Sequence, residues 1–168
     1  MKEMKKEDNV LETVVFTYSE DQVLRELIAE SSYVAKCRAN DPGLFPGWSS
    51  TIIVSEDDRP FFTRRLADVR DEIMRALAPH LSGEFASTET ELVFAVLLPQ
   101  HRPLALDESI CHQLERTIVS YILWQWFATK LPDESERCWL QYQGALSAVK
   151  SDIRLARNRR PHRPMNYF

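Results

Sequence analysis

The sequence predicts a mainly α-helical single domain, a four-helix bundle-like fold with a small β element. Four segments repeat apolar residues at helical spacing, whereas the apolar run at residues 92–98 has the length of a strand. The chain of 168 residues fits one domain, and its 44% hydrophobic fraction can supply a core. We expect a frayed, charged N-terminus at residues 1–12 and an extended basic C-terminal arm at residues 157–168.

The first helix is predicted at residues 20–38, directly after a short β-branched and aromatic strand at residues 13–18. Ser19 is the expected N-cap, and Gln22 is expected to complete a capping box with it. Tyr18 and Val23 occupy the two positions of a hydrophobic staple. The apolar face of this helix comprises Leu24, Leu27, Ile28, Val34 and Ala35.

Residues 40–50 are predicted to form a loop, because they contain two Pro-Gly pairs. Leu44, Phe45 and Trp48 in this loop either fold back onto the core or contact a partner. We favour the first alternative, because loops of this length commonly pack on their own side chains. The β-branched residues 50–55 are expected to form a brief extended segment.

The second helix is predicted to begin in the acidic run at residues 55–58 and to end near Pro79. Acidic side chains suit the positive end of a helix dipole, and Pro60 fits the first turn, so Ser55 or Asp57 is the cap. One apolar stripe follows the helix and comprises Phe62, Leu66, Val69, Ile73 and Leu77. The best strand candidate lies within residues 84–98, as a single strand or as a hairpin in which residues 85–87 pair back.

The third helix is predicted at residues 108–130 with Asp107 as its cap, and the fourth begins after Pro132. The third helix is apolar on nearly all sides, which indicates a central position in the core. Asp133 and Glu136 match a capping box, and the short connection predicts an antiparallel αα-hairpin. The apolar seam of the fourth helix comprises Trp139, Tyr142, Leu146, Val149, Ile153 and Ala156.

The sequence shows no motif for catalysis, for a metal or for a cofactor, and we expect none of the three. Cys111 and His112 are adjacent, but neighbouring helical residues point about 100° apart. Asp57, Asp58, Glu134 and Glu136 are interpreted as helix-capping acids. The cysteines, interpreted as small buried hydrophobes in a reducing compartment, are Cys37, Cys111 and Cys138. The histidines, which lack metal-ligand spacing, are His80, His101, His112 and His162.

Two groups of residues are candidates for binding. Trp124, Trp126 and Trp139 either pack in the core between the third and fourth helices or line a ligand pocket there. The second group lies in residues 150–168, where six basic side chains against one acidic side chain give +5 and leave −9 for the rest. Its candidate contact residues are Arg154, Arg157, Arg159, Arg160, Arg163, Tyr167 and Phe168.

Three interpretations of this basic arm remain open. It is a solvated tail whose charges suit the helix C-terminus, an arm that docks on an acidic protein or nucleic acid, or a link between copies of the chain. Because the whole chain has a net charge of −4, nucleic acid is the less favoured partner. Protein subunits, including further copies of this chain, are favoured.

The layout of residues 55–73, 109–127 and 131–161 resembles the neck or head–tail connector proteins of tailed phages and prophages. These segments are a capped acidic helix, a long aromatic helix, and a final amphipathic helix that leads into an arginine-rich arm. The resemblance implies rings of subunits whose termini and loops extend onto neighbours, and it implies no catalytic residue.

We therefore expect a non-enzymatic structural or assembly protein, with a connector-like virion component as its most specific form. The alternative is a small-molecule or regulatory binding module with an aromatic pocket between the third and fourth helices. The N-terminal residues lack an apolar signal region, and no apolar stretch has the roughly 20 residues of a membrane span. We accordingly expect a cytoplasmic location, or the virion for a phage protein.

Overall fold

The computed structural model describes residues 10–41, 47–83, 87–88 and 90–158. It confirms a mainly α fold with one two-stranded antiparallel sheet. One hydrophobic core cluster contains residues from every helix and strand. The elements in chain order are β1 (Leu11–Ser19), α1 (Glu20–Cys37), α2 (Trp48–Ile52), α3 (Arg59–Leu77), β2 (Glu91–Pro99), α4 (Leu104–Phe127) and α5 (Pro132–Asn158).

The two predicted strands pair with each other. Strand β1 runs antiparallel to β2, with Leu11 opposite Pro99 and Phe16 opposite Phe94. The partner of β2 is therefore β1, and Ser87, the described residue of the alternative hairpin at residues 85–87, is not part of a strand. The Ser87 hydroxyl instead accepts a hydrogen bond from the Val93 N–H at 2.9 Å. Residues 84–86 lie outside the described part of the chain, as do residues 1–9 of the predicted frayed terminus.

Helix α1 begins at the predicted cap but without the predicted capping box. The Ser19 hydroxyl accepts a hydrogen bond from the Gln22 N–H at 3.2 Å. The Gln22 side chain does not return to Ser19, because it donates to the Glu115 carboxylate of α4 at 2.6 Å. The staple residues Tyr18 and Val23 are both buried. A contact between helices has thus replaced half of a local motif.

The predicted extended segment at residues 50–55 is wrong over its first half, because α2 is helical. The Ser50 hydroxyl donates to the Gly47 carbonyl at 2.7 Å, and the Thr51 hydroxyl donates to the Trp48 carbonyl at 2.6 Å. Such local bonds stabilise a turn that apolar patterning does not reveal. The chain becomes extended only at Ile53.

Helix α3 follows the predicted pattern. A 3₁₀ turn at Glu56–Asp58 precedes it, and the Asp58 carboxylate accepts hydrogen bonds from the Ser55 N–H at 3.0 Å and the Ser55 hydroxyl at 2.7 Å. Ser55 therefore caps the 3₁₀ turn, whereas the N-cap position of α3 itself is Asp58 and not Asp57. A second 3₁₀ turn, Ala78–His80, ends the segment. The predicted stripe is fully buried and comprises Phe62, Leu66, Val69, Ile73 and Leu77.

Helices α4 and α5 form the predicted antiparallel hairpin. The Ser109 hydroxyl donates to the Asp152 carboxylate at 2.7 Å near one end, and the Ser135 hydroxyl donates to the Trp124 carbonyl at 2.9 Å near the other. Helix α4 is buried on several faces, as expected of a central helix. No helix in the described ranges is long and apolar enough to cross a membrane.

Both predicted caps of this hairpin bind arginines instead. Asp107 lies inside the first turn of α4, so its assignment as the cap is wrong. Its carboxylate accepts two hydrogen bonds from the Arg102 guanidinium, at 2.5 Å and 2.8 Å. Asp133 accepts a hydrogen bond from Arg38, and this ion pair takes the place of the predicted capping box with Glu136. Capping acids are thus used as partners for arginines of preceding segments.

Arg38 joins the C-terminal end of α1 to the N-terminal end of α5. Besides Asp133, its guanidinium donates to the buried Glu134 carboxylate at 2.8 Å and 3.1 Å. The hydrogen bond from Arg38 is the main cause that lowers the pKa of the Asp133 carboxyl. One side chain therefore connects two helices that are almost a hundred positions apart in sequence.

We expect Arg38→Gln to lower the free energy of unfolding by about 1–2 kcal/mol, between the values for exposed ion pairs and for hydrogen bonds to buried charges. The lowered pKa of Asp133 stabilises the folded state above the ordinary carboxyl pKa, and this contribution is lost as the pH falls through the depressed value. The loss in the variant should therefore shrink below about pH 4. Urea unfolding between pH 3 and pH 7 measures both effects. The control is Arg25→Gln, an exposed residue on the same helix; an equal loss in the control would contradict the prediction.

Candidate interaction surfaces

Two of the three predicted pocket tryptophans lie together, in the contact between α4 and α5. The rings of Trp124 and Trp139 have centroids 4.5 Å apart. The centroid of the Tyr121 ring lies 5.4 Å from that of Trp124 and 5.3 Å from that of Tyr142, and the centroids of Tyr142 and Trp139 are 5.2 Å apart. The four rings thus close into a cycle of aromatic contacts, which is the core-packing alternative for Trp124 and Trp139.

Trp126 lies elsewhere, against α2 and α3. Its indole N–H donates a hydrogen bond to the Ile52 carbonyl at 2.7 Å. The centroid of its ring lies 5.5 Å from that of Phe61 and 5.6 Å from that of Phe62. The Lys130 amine lies over the same ring. Because Trp124 and Trp126 are two positions apart, they point about 200° apart around α4. The structure does not bring the three tryptophans to one pocket.

A cleft between α1, α4 and α5 was not predicted from the sequence. Its volume is about 250 Å³. We call it the acidic cleft, because three of its lining side chains are carboxylates. Its lining residues are Glu26, Glu30, His112, Glu115, Arg116, Val119, Ser120, Leu123 and Gln141. They come from three helices, so the only signal in the sequence is the one-turn spacing of Glu26 from Glu30.

The acidic cleft holds charges without ionic partners. Within the described ranges, no ion pair involves Glu26, Glu30 or Glu115, and Arg116 also has none. Three carboxylates against one guanidinium leave the lining with a net negative charge. At the base, Ser120 is only 4% exposed, and its hydroxyl makes no hydrogen bond to any residue that the structure describes. The cleft can therefore accept hydrogen bonds from a cationic group.

The described part of the basic arm belongs to the end of α5. This helix extends through Asn158, so the predicted arm loses its first two residues to the helix. Arg157 donates to the Leu97 carbonyl of β2 at 3.2 Å. Burial, followed by the charges of Arg157 and Arg154, lowers the pKa of His80. Arg154 and Arg157 thus lie near His80, with Arg157 against β2, whereas Arg159, Arg160, Arg163, Tyr167 and Phe168 lie outside the described residues.

The predicted contact loop is described only at its end. Trp48 begins α2 and is 7% exposed, so it packs in the core as the favoured alternative expects. Leu44 and Phe45 lie outside the described residues. Gly47, directly before the helix, has φ +87°, a left-handed conformation that other residues rarely adopt. This backbone turn directs Trp48 inward.

The cysteines and histidines are dispersed. Only Cys138 is buried, and burial raises its pKa to about 11; Cys37 is exposed and Cys111 is half-buried, so the expectation of three buried cysteines is wrong. The Tyr18 hydroxyl donates to the Cys111 carbonyl at 2.8 Å, while His112 lines the acidic cleft. The two neighbours therefore face different surroundings. In the ranges that the structure describes, no three His, Cys, Asp or Glu side chains are placed to hold a metal ion.

The paired acids have different roles. Asp58 caps the turn before α3 through Ser55. Glu134, also interpreted as a capping acid, is buried and forms ion pairs with Arg38 at 2.8 Å and Arg137 at 2.9 Å. The Glu134 carboxylate thus contributes to the joint between α1 and α5, and not to a two-carboxylate site.

Searches of protein-family models, of curated proteins and of solved structures return no match to this chain. The residues and surfaces above are consequently the basis for a functional proposal.

We expect Trp126→Phe to destabilise the fold more than Trp139→Phe, by about 1–3 kcal/mol. The first substitution leaves the buried Ile52 carbonyl without its donor, and an unsatisfied buried acceptor costs about that much. The Trp139 indole N–H forms no hydrogen bond with the described residues, so Phe retains most of its ring contacts. Urea unfolding of both variants measures the difference. Equal losses would show that the hydrogen bond to α2 is not what Trp126 contributes.

Proposed function

We propose that this chain is a non-enzymatic assembly protein whose copies associate through surfaces of opposite charge. The carrying observation is the acidic cleft, where Glu26, Glu30 and Glu115 lack ionic partners among the described residues. The complementary charge is at the far end of the chain, where α5 ends beside β2 at Arg157 and Arg159, Arg160 and Arg163 follow in the sequence. Six of the basic side chains of the whole chain fall within residues 150–168. Each copy thus carries both halves of an electrostatic contact.

Such a contact is heterologous, because the two surfaces differ. Heterologous contacts between identical subunits close into rings when the rotation between neighbours allows it, and otherwise extend into filaments. A ring agrees with the resemblance in layout to the head–tail connectors of tailed phages. We therefore propose a connector-like virion component as the specific form of this function, located in the cytoplasm before assembly and in the virion afterwards.

We expect the full chain to form oligomers at low ionic strength and to dissociate towards monomers as salt rises. Exposed charge pairs are screened over about 8–10 Å at moderate ionic strength. A chain that ends at Asn158 should keep the circular dichroism and thermal midpoint of the full chain, because α5 and the Arg157 contact remain intact. It should remain a monomer. Size-exclusion chromatography with light scattering at about 50 mM and 500 mM salt measures both outcomes.

The matched full-length comparison neutralises three arm charges in R159Q/R160Q/R163Q. Its control, R25Q/K36Q/R64Q, neutralises three exposed cations on α1 and α3. Only the arm variant should lose association. A full chain that is monomeric at every salt and protein concentration would exclude the proposed function, and equal losses in the two variants would exclude a role specific to the arm. Negative-stain electron microscopy of the oligomer distinguishes rings from filaments.

A further inference from the structure

We propose that the acidic cleft between α1, α4 and α5 is the docking site for the arginine-rich arm, residues 159–163, of a second copy of this chain. This inference rests on the proposed function and specifies which surface receives the arm. Four observations carry it: the arrangement of the acids, a serine hydroxyl in the cleft lining that bonds to none of the described residues, the charge balance and the reach of the arm.

The side chains of the cleft match the two parts of an arginine. Glu26 and Glu30 lie one turn apart on α1, and Glu115 is on α4. Val119 and Leu123 supply apolar surface one turn apart on α4. An arginine places its methylene stem on apolar surface and presents its planar guanidinium to carboxylates in pairs of hydrogen bonds.

Besides the three carboxylates, the cleft lining contains a neutral hydrogen-bond acceptor, the hydroxyl of Ser120. Its side chain lines the cleft although the residue is only 4% exposed, and its hydroxyl bonds to none of the described residues. Because this hydroxyl opens onto the cleft, it can bond a polar group that enters there. A guanidinium has five N–H donors, more than one carboxylate can accept, so the hydroxyl adds an acceptor at depth.

The charges are complementary even with the cationic lining included. Arg116 and His112 also face the cleft, and with a neutral His112 the three carboxylates leave a net charge of −2. The arm carries Arg159, Arg160 and Arg163 within five residues. Glu115 already accepts a hydrogen bond from Gln22, which leaves Glu26 and Glu30 as the principal partners for the arm.

The reach of the arm favours a second copy. Gln141 at the cleft precedes Asn158 by 17 residues on α5, which at 1.5 Å per residue is about 25 Å. The five residues from Asn158 to Arg163 span at most about 17 Å. The backbone of the same arm therefore ends short of Gln141, whereas the arm of a neighbour is free to lie along the whole cleft.

A synthetic fluorescent peptide of residues 157–168 tests the site directly. It is titrated by anisotropy, at about 50 mM salt, into full-length R159Q/R160Q/R163Q protein, whose own arm cannot compete. Adding E26Q/E30Q should weaken peptide binding at least tenfold. Adding E108Q/E136Q instead, which removes two exposed acids outside the cleft, should change it less than about twofold. Equal weakening by both pairs, or no binding to the unmodified cleft, would overturn the proposal.

Mixing two defective proteins distinguishes docking between copies from docking within one. The E26Q/E30Q protein retains the arm, and the R159Q/R160Q/R163Q protein retains the cleft. Each alone should be monomeric, and their mixture should form a one-to-one dimer by light scattering. A mixture that stays monomeric would overturn docking between copies. If the unmodified chain oligomerises through its arm but E26Q/E30Q leaves the oligomer intact, this site is wrong, and only the part of the proposed function that assigns assembly to the arm stands. A monomeric unmodified chain excludes the function itself.

Discussion

Coverage of α4 is the constraint on which the rest of the fold depends. Residues buried on this helix fall on several faces, among them Ile110, Leu114, Leu123 and Phe127. Burying one such side chain contributes about 1.5–3 kcal/mol, so an uncovered face would be strongly unfavourable. Helix α5 covers one side, α1 and α3 cover others, and α2 is attached through Trp126. The acidic cleft lies where this coverage is incomplete, along the polar residues that α4 retains.

The sequence predicts the long elements well, because their apolar spacing reflects the core directly. The stripe of α3 is buried at every predicted position. The ends of β1 lie within two residues of the predicted strand at residues 13–18, and those of β2 within one residue of the apolar run at residues 92–98. Helix ends were predicted less well. Asp107, Asp133 and Gln22 have the residue types of local caps, yet each side chain is bound by a residue outside its own helix. For Asp133 and Gln22 the competing residue is more than ninety positions away, which a local motif cannot reveal.

The candidate sites also depend on contacts between segments that are far apart in the sequence. The aromatic residues of α4 and α5 were recognised as a group, but helical geometry divides Trp124 from Trp126 and directs them to different neighbours. The acidic cleft could not be predicted, because Glu26, Glu115 and Gln141 converge only through the packing of three helices. Ser120 resembles any polar residue in an apolar helix until its burial and its missing partner are known.

The pairing of β1 with β2 has a consequence for the order in which the chain acquires its structure. Ser19 lies opposite Glu91, and Leu11 opposite Pro99, so the sheet closes a loop that contains α1, α2 and α3. Helices α4 and α5 need only a short connection to meet, and contacts near in sequence form with a smaller loss of chain entropy. During synthesis β1 emerges first and remains without its partner until residue 99 has left the ribosome. An aggregation-prone strand edge is thus exposed while the residues between the two strands are synthesised, and the last strand residues to appear are those that protect it.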